Sequence, residues 1–263
     1  MKVLWLQSGG CGGCTQSLLC ADPRPLFDEL RDAGVEFLWH PGLSVESGEE
    51  ALAILEDCAE GRLAFDALCV EGAMLRGPNG TGRFHLLAGS GRPLTEWVER
   101  LVPRARWVFA IGSCTAYGGF SANTPGNPLE ACGLQYDEQT PGGLLGAGFR
   151  SPDGLPVINI AGCPTHPGWV VDTLEKAALE GLQAEDLDEF GRAPALRRRP
   201  GAPRLCPQRV LRIQGKRAQA VRPRLPDGKP RLQGHAGARR LQSQAMERQR
   251  FLPARRLCLH RVH

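Results

Sequence analysis

Cys11 and Cys14 sit in "SGGCGGCTQSLL", a glycine-rich turn between an apolar run and a helix-like stretch. A C-x-x-C pair can be half a zinc site, a thioredoxin-type redox pair or two ligands of an iron–sulfur cluster, and the spacing alone does not choose. Two further cysteines occupy similar positions. Cys114 follows the apolar run of "WVFAIGSCTAYGG", and Cys163 follows that of "PVINIAGCPTHPGW". Glu71 ends a third run, "ALCVEG".

These residues must be positioned by the elements between them. Strand-like runs fall at 3–7, 35–40, 67–71, 107–111 and 157–161, and helical candidates at 25–33, 49–58, 93–101 and 167–179. Short buried strands alternating with helices predict an α/β fold, a mostly parallel sheet with helices on both faces. The connections 76–92 and 118–154, rich in Gly, Pro and Asn, read as surface loops. In an open parallel sheet the carboxyl ends of the strands line one edge, where sites assemble. Cys11, Cys14, Cys114 and Cys163 can therefore converge although they span more than 150 residues. Four thiolates on one edge suit an all-cysteine iron–sulfur cluster or an all-cysteine zinc site. Gly12, Gly13 and other glycines beside them let backbone approach a bulky group and offer it N–H donors. A structural zinc site usually pairs two C-x-x-C knuckles, and only one is present here. No Lys-Ser/Thr follows the glycines, which argues against a phosphate loop.

The chain of 263 residues carries ten cysteines, a high count. Met1 leads directly into strand-like sequence, with no signal-like or twin-arginine pattern and no membrane-spanning apolar run. The expectation is a cytoplasmic protein whose cysteines are metal ligands or buried small hydrophobes rather than disulfides. Cys58 and Cys69, inside a helix and a strand, read as buried hydrophobes, and Trp5, Trp97, Trp107 and Trp169 as core.

"SGGCGGCTQSLL", "VEGA", "AIGSCTAYGG" and "AGCPTHPGW" together resemble the four signature stretches of the small subunit of nickel–iron hydrogenases. The Gly-Gly between the first two cysteines most resembles the regulatory, hydrogen-sensing subfamily. The resemblance covers residues 1–192 and implies a flavodoxin-like domain. It implies a proximal [4Fe–4S] cluster held by Cys11, Cys14, Cys114 and Cys163. It also implies a nickel–iron large subunit as partner, in a heterodimer or a dimer of heterodimers, and a signalling histidine kinase downstream. Glu71 would then either cap its loop or lie at the exposed cluster edge, contacting the partner or passing protons. His166, at a helix start, would either donate to a cluster sulfur or be structural. The rival readings are an energy-conserving uptake hydrogenase small subunit and the cluster-bearing subunit of an NADH dehydrogenase-like complex. The latter is expected to show adjacent cysteines in the first motif.

Residues 1–192 hold 13 Lys and Arg against 26 Asp and Glu, a net of −13. Residues 193–263 hold 19 Lys and Arg against Asp227 and Glu247, a net of +17. This stretch has no sustained period and reads as an irregular, disordered basic tail. Taken at face value it is a nucleic-acid-binding arm. Hydrogenase small subunits instead carry there an H-x-x-C motif and about six further cysteines, for two more clusters; here only Cys206 and Cys258 occur. Codons exist for "GAPRLCPQRVLRIQ", residues 201–214, that spell V-H-H-G-C-A-R-N-E-Y-Y-E-F-K when read one nucleotide later. The stretch from Leu225 onward yields ordered cysteine ligands in the same shifted frame. The expectation is a frameshift near 193–199, one cluster in the chain as written, three in a frame-restored chain, and no nucleic-acid partner.

Overall fold

The computed structural model describes residues 1–21 and 26–193. Its elements, in chain order, are β1 (Lys2–Gln7), α1 (Gly13–Leu18), α2 (Leu26–Asp32), β2 (Glu36–Trp39), α3 (Gly48–Glu60), β3 (Ala67–Glu71), β4 (Met74–Leu75) and α4 (Leu94–Leu101). They continue with β5 (Trp107–Ile111), α5 (Gly112–Tyr117), α6 (Gly119–Ala122), β6 (Ala131–Cys132), β7 (Tyr136–Asp137), β8 (Thr140–Pro141), β9 (Ile158–Ile160) and α7 (Pro167–Leu179).

β2, β1, β3, β5 and β9 lie side by side in that order, every pairing parallel. Counted within the sheet alone, the order is 2-1-3-4-5, the flavodoxin-like winding. Successive side chains of a strand point to opposite faces, and both faces here are apolar. Leu4, Leu6, Leu68, Val70, Val108 and Ala110 face α3 and α4, packing with Leu55, Cys58, Trp97 and Leu101. Val3, Trp5, Ala67, Cys69, Trp107 and Phe109 face the other way, onto Leu18 of α1, Leu30 of α2 and Val170 and Leu174 of α7. The strands therefore read as unbroken apolar runs because helices cover both of their faces.

The expected strands and helices are all present, most with ends shifted by one or two residues, and β3, β5 and α7 span the expected residues. One expectation fails. Residues 118–154 are not a surface loop: α6, β6, β7 and β8 lie within them, and Ala131, Cys132, Leu134 and Gln135 are buried. The amide of the Gln135 side chain donates to the carbonyls of Ala147 and Phe149 at 3.1 and 3.2 Å, and its Oε1 accepts from the Val157 N–H at 2.9 Å. These side-chain bonds, with loop backbone bonds such as Leu134 N–H to the Thr115 carbonyl and Leu145 N–H to the Leu134 carbonyl, hold this segment in place without long strands. No helix of the described residues is long and apolar enough to cross a membrane. The expected boundary at 192/193 falls where the description ends. The basic tail, Cys206 and Cys258 lie outside the described residues.

Candidate metal centre

All four candidate cysteines follow strands at the carboxyl edge of the sheet. Cys11 lies in the turn between β1 and α1, and Cys14 is the second residue of α1. Cys114 is the third residue of α5, which starts directly from β5, and Cys163 lies between β9 and α7. The four come close enough for their charges to be felt mutually: Cys14 by Cys11 and Cys114, and Cys114 by Cys11 and Cys163. Cys11 and Cys163 are exposed, Cys14 and Cys114 half-buried. Among the described residues no group of three or more His, Cys, Asp or Glu side chains is set to hold a single metal ion.

The backbone around the sulfurs fits a bulky cofactor. A Cβ at Gly112 would stand 2.5 Å from Cys14 Sγ, and one at Gly119 2.6 Å from Cys114 Sγ. Both glycines also have positive φ, 85° and 55°, which a side chain would strain. Space is thus kept clear against two of the four sulfurs. Gly12, with φ of 70°, makes the turn into α1, and Gly13 opens that helix. The backbone N–H groups of Thr165 and Phe120 lie where they favour the thiolate forms of Cys14 and Cys114 respectively. Burial raises the Cys14 thiol to about 11, partly offset by the Thr165 N–H and reinforced by Glu71. Burial likewise raises Cys114. Ligation by these thiols therefore releases protons.

Glu71, at the end of β3, is only 3% exposed. It is not part of an exposed edge. Its Oε1 accepts from the N–H of Cys14 at 3.0 Å and of Thr15 at 3.2 Å, and its Oε2 from Gln7 Nε2 at 3.2 Å and from the Thr15 hydroxyl. His166 caps α7: its Nδ1 accepts from the Gly168 N–H at 3.1 Å, with Pro167 at the first helical position, and its ring lies against Trp169. Cys58, Cys69 and Cys132 are fully buried, as a structural role requires, and Cys20 is exposed. Trp5, Trp97 and Trp107 are buried in the core, and Trp169 packs against it half-buried. Three residues at the site were not singled out from sequence, Gln7, Thr15 and His40. Gln7 and His40 sit at or just beyond the carboxyl ends of strands in the same sheet, and no spacing motif marks them.

A doubly wound sheet with four cysteines at its carboxyl edge matches a known class. Residues 11–177 match the family described as NADH ubiquinone oxidoreductase, 20 Kd subunit, and the chain belongs to that family. It is 31% identical over 203 residues to the periplasmic [NiFeSe] hydrogenase small subunit of Desulfomicrobium baculatum, covering 72% of this chain and 60% of that one. It is 28% identical over 213 residues to the F420 non-reducing hydrogenase I small subunit of Methanosarcina mazei, covering 73% and 53%. Among solved structures, the actinobacterial-type NiFe-hydrogenase from Ralstonia eutropha H16 superposes with a TM-score of 0.62 at 29% identity, over 73% of this chain and 58% of that one. The Ni-Fe-Se hydrogenase of D. baculatum gives 0.59 at 30% identity, over 73% and 68%. Within its family the chain thus groups with the small subunits of nickel–iron hydrogenases. It spans about half the length of the curated relatives it matches.

Proposed function

We propose that this chain is the electron-transfer small subunit of a cytoplasmic, regulatory nickel–iron hydrogenase, which reports hydrogen availability to transcription. The observation that carries the electron-transfer reading is the carboxyl edge itself. There Cys11, Cys14, Cys114 and Cys163 meet beside two glycines that keep the Cys14 and Cys114 sulfurs clear. These residues would hold one [4Fe–4S] cluster, which supplies one-electron storage. The chain's own part is to seat that group, direct the Thr165 and Phe120 N–H donors at its thiolates, and exclude water by docking a partner. With Cys11, Cys14, Cys114 and Cys163 given to iron, hydrogen activation would fall to a nickel-bearing large subunit.

Phe120 supports the docking reading. It is 85% exposed although its backbone lies by the half-buried Cys114, leaving an aromatic side chain in the open next to one candidate ligand. The regulatory reading rests on the Gly-Gly spacing in the first motif, and a histidine kinase would be the signalling partner. An energy-conserving uptake role is the second reading, supported by similarity to proteins named as a periplasmic [NiFe] hydrogenase small subunit and a quinone-reactive Ni/Fe-hydrogenase small chain.

The basic region after residue 192 is proposed to be the product of a frameshift near 193–199, with no nucleic-acid role. The family match ends at residue 177, ahead of the charge reversal.

Anaerobic co-expression with a nickel-bearing large subunit tests the reading. Copurification through the Phe120 edge, lost in Phe120→Asp, and no hydrogen uptake by the small subunit alone are expected. Hydrogen turnover by this chain alone would overturn it. Deleting the gene should change hydrogen-dependent transcription if the role is regulatory, and growth on hydrogen if it is uptake.

A further inference from the structure

Glu71, Thr15, Gln7 and His40 form a closed set of hydrogen bonds under the turn that carries Cys11 and Cys14. Glu71 uses both carboxylate oxygens for four donors: the N–H groups of Cys14 and Thr15, the Thr15 hydroxyl and Gln7 Nε2. The Thr15 hydroxyl donates to Glu71 and accepts from Gln7 Nε2 at 3.0 Å. The two N–H donors of the Gln7 amide are thereby both engaged. His40 Nδ1 accepts from the Gly42 N–H at 3.0 Å, which leaves its ring proton on Nε2, 3.4 Å from Thr15 Oγ1. His40 is fully buried, with Trp5 at 4.9 Å and Phe37 at 5.6 Å between ring centroids. Thr15 is 7% exposed and Glu71 3%.

Each polar atom of Thr15 and Glu71 thus has its partner inside the protein, and the partners come from three different strands. Gln7 ends β1, Glu71 ends β3 and His40 follows β2. The set ties α1, which carries one ligand, to three neighbouring strands of the sheet. On the far side of α1, Ser17 Oγ donates to the Thr165 carbonyl at 2.8 Å, linking it to the loop of Cys163.

We propose that Glu71 and Thr15, supported by Gln7 and His40, are positioning residues that fix the main chain of Cys14 for cofactor ligation before any cofactor arrives. Glu71 also places a carboxylate where Cys14 and Cys114 feel it, so its charge bears on whatever those thiolates hold. This rests on the cluster reading above for what Cys14 ligates, but the positioning itself is a property of the polypeptide.

Amide hydrogen exchange on the full-length, cofactor-free chain, under anaerobic conditions, tests it. Glu71→Ala and Thr15→Val should speed exchange at Cys14 and Thr15 about tenfold while β5 stays protected, and Thr15→Ser should restore the slow rate. Unchanged exchange at Cys14 in both variants would overturn the proposal. Should Glu71→Ala fail to fold, Glu71→Gln, which keeps the shape but turns one acceptor into a donor, gives the same test. In the iron-loaded chain Glu71→Gln should move the reduction potential in the positive direction, a shift that a purely structural role would not give, and an unmoved potential counts against it. The cluster reading is checked separately by iron content in Cys114→Ser. Iron retained there defeats that reading whatever the exchange rates show. Iron lost there with silent Glu71 variants defeats the positioning role alone.

Discussion

Ser113 and Gly162 are joined by two hydrogen bonds: the Ser113 N–H donates to the Gly162 carbonyl at 2.8 Å, and the Gly162 N–H donates to Ser113 Oγ at 3.1 Å. Each residue immediately precedes a candidate ligand, Cys114 or Cys163. The pair is a two-way tie between the loops after β5 and β9, and it sets where the two thiols stand relative to each other. Ser113→Ala removes one of the bonds and strands the Gly162 N–H. The expected cost is about 1 kcal/mol in urea unfolding, with faster loss of iron to a chelator. An unchanged chelation rate would show that the two loops hold their places independently.

Cys114→Ser and Cys163→Ser should abolish iron binding, whereas Cys58→Ala and Cys69→Ala should keep it. The latter two thiols are fully buried in the two faces of the core, Cys58 against α4 and Cys69 against α7. Their truncation should lower stability by roughly 1–2 kcal/mol through lost packing. Iron and sulfide analysis beside chemical denaturation separates the two classes.

Burial lowers the His40 imidazole from 6.5 to about 4, against the opposing pull of Glu71. The folded chain therefore holds His40 neutral where the unfolded chain protonates it. Stability should be unaffected by this group above pH 6.5 and should fall as pH drops toward 4. The loss from His40 alone is roughly 2 kcal/mol between about pH 7.5 and about pH 5. His40→Gln should flatten the slope of unfolding free energy against pH in that window. A slope identical to that of the parent would place the titration elsewhere.

The chain as written should bind one [4Fe–4S] cluster and a frame-restored chain three. Iron and sulfide content with electron paramagnetic resonance of both chains checks this. Equal iron in the two sinks the frameshift proposal.

The parts of this fold that were readable from sequence share a physical cause. β3 and β5 are buried at every position, so they stand out as largely apolar runs, each between a charged residue and a glycine. α7 begins at Pro167 because a proline at the first helical position loses no hydrogen bond, and His166 supplies the cap. The convergence of the four cysteines followed from strand-end topology alone. The segment 118–154 was misread because its strands are two residues long, too short to show a period, and its order comes from irregular backbone bonds and from side chains such as Gln135. The inward direction of Glu71 was also hidden: a carboxylate at a strand end reads the same whether it meets solvent or the amides of the next helix. Gln7 and His40 belong to no spacing motif, and only the placement of their strands brings them to Thr15.

The tie between Ser113 and Gly162 and the bonds under α1 bear on speed as well as on stability. A one-electron carrier must adjust its bond lengths and surroundings at every transfer, and the energy of that adjustment slows the hop. Here the ligand loops are bonded to one another and to the sheet by the polypeptide itself. A carrier seated on such a frame would change little when its charge changes. With the proposed cluster in place, the carboxyl edge of the sheet would be a low-reorganisation socket, letting an electron pass without waiting for the protein to move.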